Sequence, residues 1–286
     1  MILTQEQEMI RDSLRDFAQE RLAPFAAEWD RQHTFPAEAL RELGELGALG
    51  MVVPEEWGGA GMDYMSLVLV IEEIAAGDGA TSTIVSVQNS LACGITMKYG
   101  SDEQKETWLK PLARGEMLGC FCLTEPHTGS DAAAISTRAD RDGDHFVLNG
   151  VKQFITTGKY ARVAIVFAVT DKAAGKKGIS CFLVPTETPG YIVARIEEKM
   201  GQRASDTAQI LFENCRVPAS CLLGKEGDGY RIALSNLEAG RIGIAAQSVG
   251  MARAAFEAAV QYAKERETFG KPIIEHQAVS FRLADM

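Results

Sequence analysis

Apolar residues recur at helical spacing through the first third of the chain. Ile10, Leu14 and Phe17 follow Thr4-Gln5-Glu6-Gln7, whose Thr-x-x-Gln spacing is that of a capping box, and Pro24 is expected to interrupt this first helix. Pro36 suits a first helical position, with Leu40 and Leu43 on one face and Gly44, Gly47 and Gly50 fraying its end. The loop Pro54–Gly61 follows. Its glycines lack the preceding strand and the G-x-G-x-x-G spacing of a dinucleotide fingerprint, so the loop reads as structural. Leu67, Val70, Ile71 and Ile74 predict a helix over 64–76, and Val85, Leu91, Ile95 and Met97 a second over 82–99. Ser101-Asp102-Glu103-Gln104 is another capping box, leading into Trp108, Leu109 and Leu112.

After residue 117 the pattern changes. Segments 118–124, 135–140, 145–148, 163–169, 179–184, 191–196 and 208–212 are short and rich in β-branched or aromatic residues, as strands are. Asp142-Gly143 and Asn149-Gly150 read as tight hairpin turns, so consecutive strands are expected to be antiparallel in a barrel or sandwich. From Gly224 to Gly229 the chain reads as a linker. An alanine-rich helix then runs from Tyr230 to about Arg266, a tight connection spans Thr268–Pro272, and a new helix begins near Glu275. The expected fold is a multidomain α+β chain: an all-α domain over 1–117, an antiparallel β domain over 118–223, and the start of a helical bundle over 224–286. The last helix stops in mid-pattern at Met286, which suggests a truncated chain whose end exposes apolar surface or pairs with another copy.

For 286 residues, 46% hydrophobic content is enough for sizeable cores. The 29 basic against 39 acidic residues give a net charge of -10, which opposes binding to nucleic acid. No apolar run reaches the length of a membrane span, and the first residues lack the pattern of a signal peptide, so the expected location is cytoplasmic. Six cysteines without C-x-x-C pairs and four histidines without ligand spacing predict free thiols and no metal site. Cys120 and Cys122 would share one strand face as small apolar groups.

Two strand-to-loop breaks carry the candidate chemistry. The first is Phe121-Cys122-Leu123-Thr124-Glu125-Pro126-His127-Thr128-Gly129-Ser130-Asp131, the second Phe154-Ile155-Thr156-Thr157-Gly158. Together they offer hydroxyls, an aromatic face and exposed amides, a set suited to a planar hydrogen-bonding heterocycle with an anionic tail, as flavin is. The run Thr124-Glu125-Pro126-x-x-Gly129-Ser130-Asp131, then Gln153-Phe154-Ile155-Thr156-x-Gly158, then Arg266-x-Thr268-Phe269-Gly270-Lys271-Pro272 resembles the acyl-CoA dehydrogenase family of flavoenzymes, as does Pro54-Glu55-x-x-Gly58-Gly59-x-Gly61.

That resemblance implies FAD between β domain and bundle in a homotetramer. It also implies an acyl-CoA thioester, short or branched, oxidised to its trans-2-enoyl form in fatty-acid or branched-chain amino-acid catabolism, and electron-transfer flavoprotein as acceptor. By the same resemblance Phe121, Leu123, Thr124, Gly129 and Ser130 form the first flavin segment, with Ser130 also meeting substrate, and Phe154, Ile155 and Thr156 form the second. Tryptophan is commoner where Phe154 stands. Arg266 and Gln277 would reach FAD bound mainly to a neighbouring subunit. Glu238 and Arg241 match a substrate-contacting Asp-x-x-Arg, with glutamate replacing aspartate. The general-base glutamate is expected beyond Met286, since the alternative position, just before the arginine, holds Gly240. His127 falls at a variable position and is expected in a loop role. Two other readings stand beside this one: a flavin oxidase or nitroalkane-oxidising relative, which would reduce oxygen quickly, and a non-catalytic binding member.

Overall fold

The computed structural model describes residues 2–286. Helix α1 (Gln5–Phe17) opens on the expected box: the Thr4 hydroxyl accepts from the Gln7 amide, and the Gln7 side-chain oxygen accepts from the Thr4 amide. It does not end at Pro24. A π turn (Ala18–Leu22) carries it into α2 (Ala23–Gln32), with Pro24 in the first turn of the new segment. Wider hydrogen-bond rings at the junction let the chain dispense with the N–H that proline lacks. Helices α3 (Ala37–Glu45), α4 (Tyr64–Gly77), α5 (Gly79–Val87), α6 (Gly94–Tyr99), α7 (Asp102–Gln104) and α8 (Lys110–Ala113) complete the first region. Two further π turns, Gln88–Cys93 and Lys105–Leu109, join α5 to α6 and α7 to α8. The 54–61 loop is structural: a Cβ on Gly59 would lie 2.2 Å from the Val53 carbonyl.

The β region holds β1 (Gly119–Cys122), β2 (Arg138–Asp142), β3 (His145–Thr156), β4 (Val163–Val169), β5 (Ile179–Pro185), β6 (Tyr191–Ile196), β7 (Thr207–Pro218) and β8 (Leu222–Leu223). Two groups, β6-β7-β3-β2 and β1-β4-β5-β8, join only where Arg138 of β2 pairs with Val169 of β4. They pack face to face, with Phe146 of β3 against Phe182 of β5 at 5.0 Å between ring centroids. The other face of β4 and β5, with Ile165, Phe167, Cys181 and Leu183, packs on the helical region, so both strands are buried on both sides.

Strands that pair with their neighbour in sequence, β2–β3, β4–β5 and β6–β7, do so antiparallel, whereas β1 lies parallel to β4 with the whole β2–β3 hairpin between them. One expectation needs correction. Asp142-Gly143 does turn that hairpin, but Asn149-Gly150 is no turn and lies inside the twelve-residue β3. There the Asn149 side-chain oxygen accepts the Asn214 amide at 2.8 Å, across a bulge in β7. A Cβ on Gly150 would lie 2.4 Å from the Thr137 hydroxyl, so close packing, not turning, calls for this glycine.

Beyond β8, helix α9 (Gly229–Glu265) runs for 37 residues, about 55 Å at the standard rise. Its first turn sits against Ser180 of β5, and its middle packs along α4. Strands β9 (Glu267–Thr268) and β10 (Lys271–Pro272) form a small hairpin, with Phe269 and Gly270 at positive φ in its turn, before α10 (Gln277–Asp285).

Candidate functional site

The two strand-to-loop segments meet. The Gln153 amide donates to the Thr124 carbonyl at 2.8 Å, tying the end of the first segment to the start of the second. Between Lys152 and Ile155, β3 carries one residue more than β7 opposite it, a bulge that puts Phe154 at φ 59. The bulge is held from inside. Gln153 accepts from the Gln209 amide group at 2.5 Å and donates to the Glu197 carboxylate, while Phe154 is turned outward and is 62% exposed. A non-glycine residue adopts this backbone at a cost, and here the cost coincides with presenting an aromatic face to solvent.

Thr124, bonded through its carbonyl to Gln153, and Thr156, two residues after Phe154, are half-buried, and neither hydroxyl has a hydrogen-bond partner among the described residues. Gly129 and Ser130 are exposed on the adjoining loop, which is shaped by the Thr128 hydroxyl donating to the Asp131 carbonyl at 2.6 Å. These donors beside an open ring fit a planar heterocycle. Three other residues of the two segments face elsewhere. The Ile155 side chain is buried in the sandwich core, Leu123 is buried against the helical region, and Phe121 packs on Phe167 at 5.0 Å, half-buried.

Beneath the loop lies a feature the sequence did not announce. Lys152 and Glu125, both fully buried, pair at 2.8 Å between Nζ and Oε1. The other Glu125 oxygen accepts the Ser136 amide at 2.7 Å and hydroxyl at 2.8 Å, the Thr137 amide donates to Oε1 at 3.0 Å, and Lys152 also donates to the Leu123 carbonyl at 3.1 Å. Burial pushes the Glu125 carboxyl up, but the Lys152 charge and these bonds override it and hold the group down at about 2. Position 152 lies beyond the strand expected over 145–148, and nothing in the sequence pattern identified its partner 27 residues away.

A second element is an apolar cavity of about 350 Å³ between α9 and the α5 side of the Gln88–Cys93 turn. Ser90, Leu91, Leu237, Gly240, Arg241 and Ile244 are among its walls. Strand β1, which carries Phe121, packs against the Gln88–Cys93 turn that supplies Ser90 and Leu91 to the cavity wall, so cavity and first segment share that turn. A Cβ on Gly240 would have only Ser90 Oγ at 3.7 Å and Leu91 Cδ2 at 3.9 Å near it, so this position opens onto the cavity. Glu238 is exposed and not part of the wall.

Arg266 and Gln277 stand apart from both. Arg266 caps α9 about 55 Å from the end that touches β5, and Gln277 opens α10; both are exposed, and no hydrogen bond or ion pair joins either to segments 121–131 or 154–158. His127 lies on the loop with its Nε2 3.1 Å from the Ala134 carbonyl. All six cysteines are free, and the described residues hold no group of three or more potential metal ligands. No helix among them is long and apolar enough to cross a membrane.

Three family models cover nearly the whole chain: the N-terminal domain of acyl-CoA dehydrogenase over residues 4–116, the middle domain over 120–215 and the C-terminal domain over 227–286. The chain belongs to the acyl-CoA dehydrogenase family. It is 48% identical over 284 residues to the short-chain specific acyl-CoA dehydrogenase of Rattus norvegicus mitochondria, covering 99% of this chain and 69% of that protein. Among solved structures it is similar to butyryl-CoA dehydrogenase from Megasphaera elsdenii (TM-score 0.97, 41% identity, covering 100% of this chain and 76% of the other). It is also similar to a chain in a structure described as the electron transferring flavoprotein of Acidaminococcus fermentans (TM-score 0.98, 45% identity, covering 100% and 75%). Acyl-CoA dehydrogenases are FAD-dependent oxidoreductases, and the open Phe154 ring with its unspent threonine hydroxyls is the part of this chain that fits the cofactor.

Proposed function

We propose that this chain supports FAD-dependent α,β-dehydrogenation of a short acyl-CoA thioester to its trans-2-enoyl form, with electrons passed on to electron-transfer flavoprotein. The meeting of the two segments at the Thr124–Gln153 hydrogen bond, with Phe154 bulged outward between them, carries this reading. FAD, when bound, supplies the acceptor for the hydride that leaves the β carbon. Phe154 offers it an aromatic face, Thr124 and Thr156 offer hydroxyl donors, Gly129 and Ser130 leave the adjoining backbone open, and Ile155 contributes through its backbone alone. The acyl group is assigned to the cavity walled by Leu91, Leu237 and Ile244, with Arg241 at its edge. At about 350 Å³ it lies near the lower end of small-molecule pockets, roughly 300–1,000 Å³, which favours a short chain.

Glu238 is assigned to the CoA portion, since it is exposed and outside the cavity wall. Arg266 and Gln277 are assigned to the FAD of a neighbouring subunit, consistent with their distance along α9, and the assembly is proposed to be a homotetramer. The proton-removing carboxylate is proposed to lie outside residues 1–286. Glu125 is committed to Lys152, His127 is turned toward a backbone carbonyl, and the cavity-facing position 240 is glycine.

The test is a visible spectrum of the 286-residue chain after adding FAD and removing the excess, followed by anaerobic butyryl-CoA. Bound yellow flavin that is not bleached is the expected result. Bleaching would place the base within this chain, and absence of bound flavin in both parent and a Phe154→Trp variant would sink the assignment of FAD to the ledge made by Phe154, Thr124, Thr156 and the Gly129–Ser130 backbone.

A further inference from the structure

We infer that the buried Glu125–Lys152 pair is a positioning device that registers the two flavin-facing segments against each other, an inference that rests on the cofactor assignment above. Its members touch both ends of the 126–135 loop and belong to the run of β3 that leads into the Phe154 bulge. Lys152 donates to the Leu123 carbonyl, one residue before Thr124, and lies two residues before Phe154. Glu125 follows Thr124 and accepts three further hydrogen bonds from Ser136 and Thr137, at the far end of the 126–135 loop that includes Gly129 and Ser130. The loop is thus closed on itself by one carboxylate, and that carboxylate is fixed to β3 by one ammonium.

A stability role alone accounts poorly for this arrangement. Two charges taken out of water are commonly no more stabilising than apolar side chains of similar volume, whereas directional bonds from both partners fix a unique geometry. Thr137 supplies the second half of the design: its backbone packs on Gly150, so the 136–137 amides that hold Glu125 are themselves seated on β3. The bulge at Phe154 therefore begins at a residue whose side chain is tied, through Glu125, to the loop.

The experiment compares the parent chain with Glu125→Asp and with the double variant Glu125→Gln/Lys152→Met. Glu125→Asp keeps the charge balance but shortens the reach to Ser136 and Thr137; the double variant removes both charges while keeping approximate volume. FAD affinity is read by flavin fluorescence, the bound flavin by its visible spectrum, and the backbone by amide hydrogen exchange over 121–137 and 150–157. Expected are far-UV circular dichroism like the parent, FAD bound at least tenfold more weakly, an altered spectrum, and exchange at least tenfold faster in those two segments only. If Glu125→Asp folds and keeps the parent's affinity, spectrum and exchange, the pair does not position the ledge and the inference falls. Should the double variant not fold, Glu125→Asp decides alone. Should the parent itself bind no FAD, the cofactor assignment fails separately, and the exchange comparison still decides whether the pair registers the two segments.

Discussion

Asp206 sits beside the turn that follows Thr156. One carboxylate oxygen accepts the Lys159 amide at 2.9 Å, its backbone carbonyl accepts the Thr157 amide at 3.2 Å, and the other carboxylate oxygen, Oδ1, has no partner, nor have the buried hydroxyls of Thr157 and Ser205. Burial raises its pKa to about 6, against the Lys159 amide and the nearby charges of Lys199 and Lys159. A carboxyl raised in the folded state adds stability below its unfolded value, and that contribution is lost as pH rises through the folded value. The window is therefore from about 3.8 to about 6. Two units correspond to about 3 kcal/mol, so Asp206→Asn is expected to stabilise the chain by roughly 1–3 kcal/mol at pH 7.5 and by little at pH 3.5, in denaturant titrations at the two values. The site was legible where its chemistry is written contiguously, as in Thr124 to Asp131. It was not legible where two buried groups meet across 27 residues, as Glu125 and Lys152 do, or where Phe154 takes a backbone that its side chain disfavours.

Helix α9 shows how one element serves two neighbours. Gly250 lets the α4 backbone approach: an added Cβ would lie 2.2 Å from the Glu72 carbonyl oxygen. Gly240 has no such neighbour and opens onto the cavity. Gly250→Ala is expected to cost about 1–3 kcal/mol through overpacking, whereas Gly240→Ala should gain up to about 1 kcal/mol from helix propensity while narrowing the cavity. Urea midpoints of the two variants check the contrast. At this scale the sequence was read well where periodicity decides, as in the long run of α9, and misread where a local signal was overridden. Pro24 was absorbed by a π turn, and Asn149-Gly150 was carried through β3 because β7 supplies a bulge opposite it.

Across the whole molecule, Glu73 of α4 is nearly fully buried and accepts from Arg15 of α1 and Arg253 of α9, so the first and last regions are clamped through one carboxylate. Part of the surface of α9 and α10 is less well covered. Ile242 and Val249, seven residues apart on one side of α9, are 46% and 55% exposed, and Phe281 of α10 is 61% exposed, large apolar side chains of the kind that mark surfaces binding another chain. Self-association through these residues is the expected outcome. Sedimentation of the parent should show an oligomer, and Val249→Glu/Phe281→Glu should shift it toward monomer without lowering the thermal midpoint by more than a few degrees; a parent that sediments as a monomer would refute the association.

The π turn at Gln88–Cys93 has one further consequence. Its polar members are stitched to the rest of the helical region, Asn89 to Met51 and Ala48, Gln88 to Leu112, Met117 and Gly119, while Ser90 and Leu91 form part of the cavity wall. An extra residue in a helical turn rotates everything after it by about 100° relative to a regular helix. The anchors and the wall are consequently set by the phase of a single inserted residue. Such a helix can acquire a new lining through a change in length of one, with its buried ends left in place, so the shape of this cavity depends on the phase of the turn as much as on the side chains that wall it.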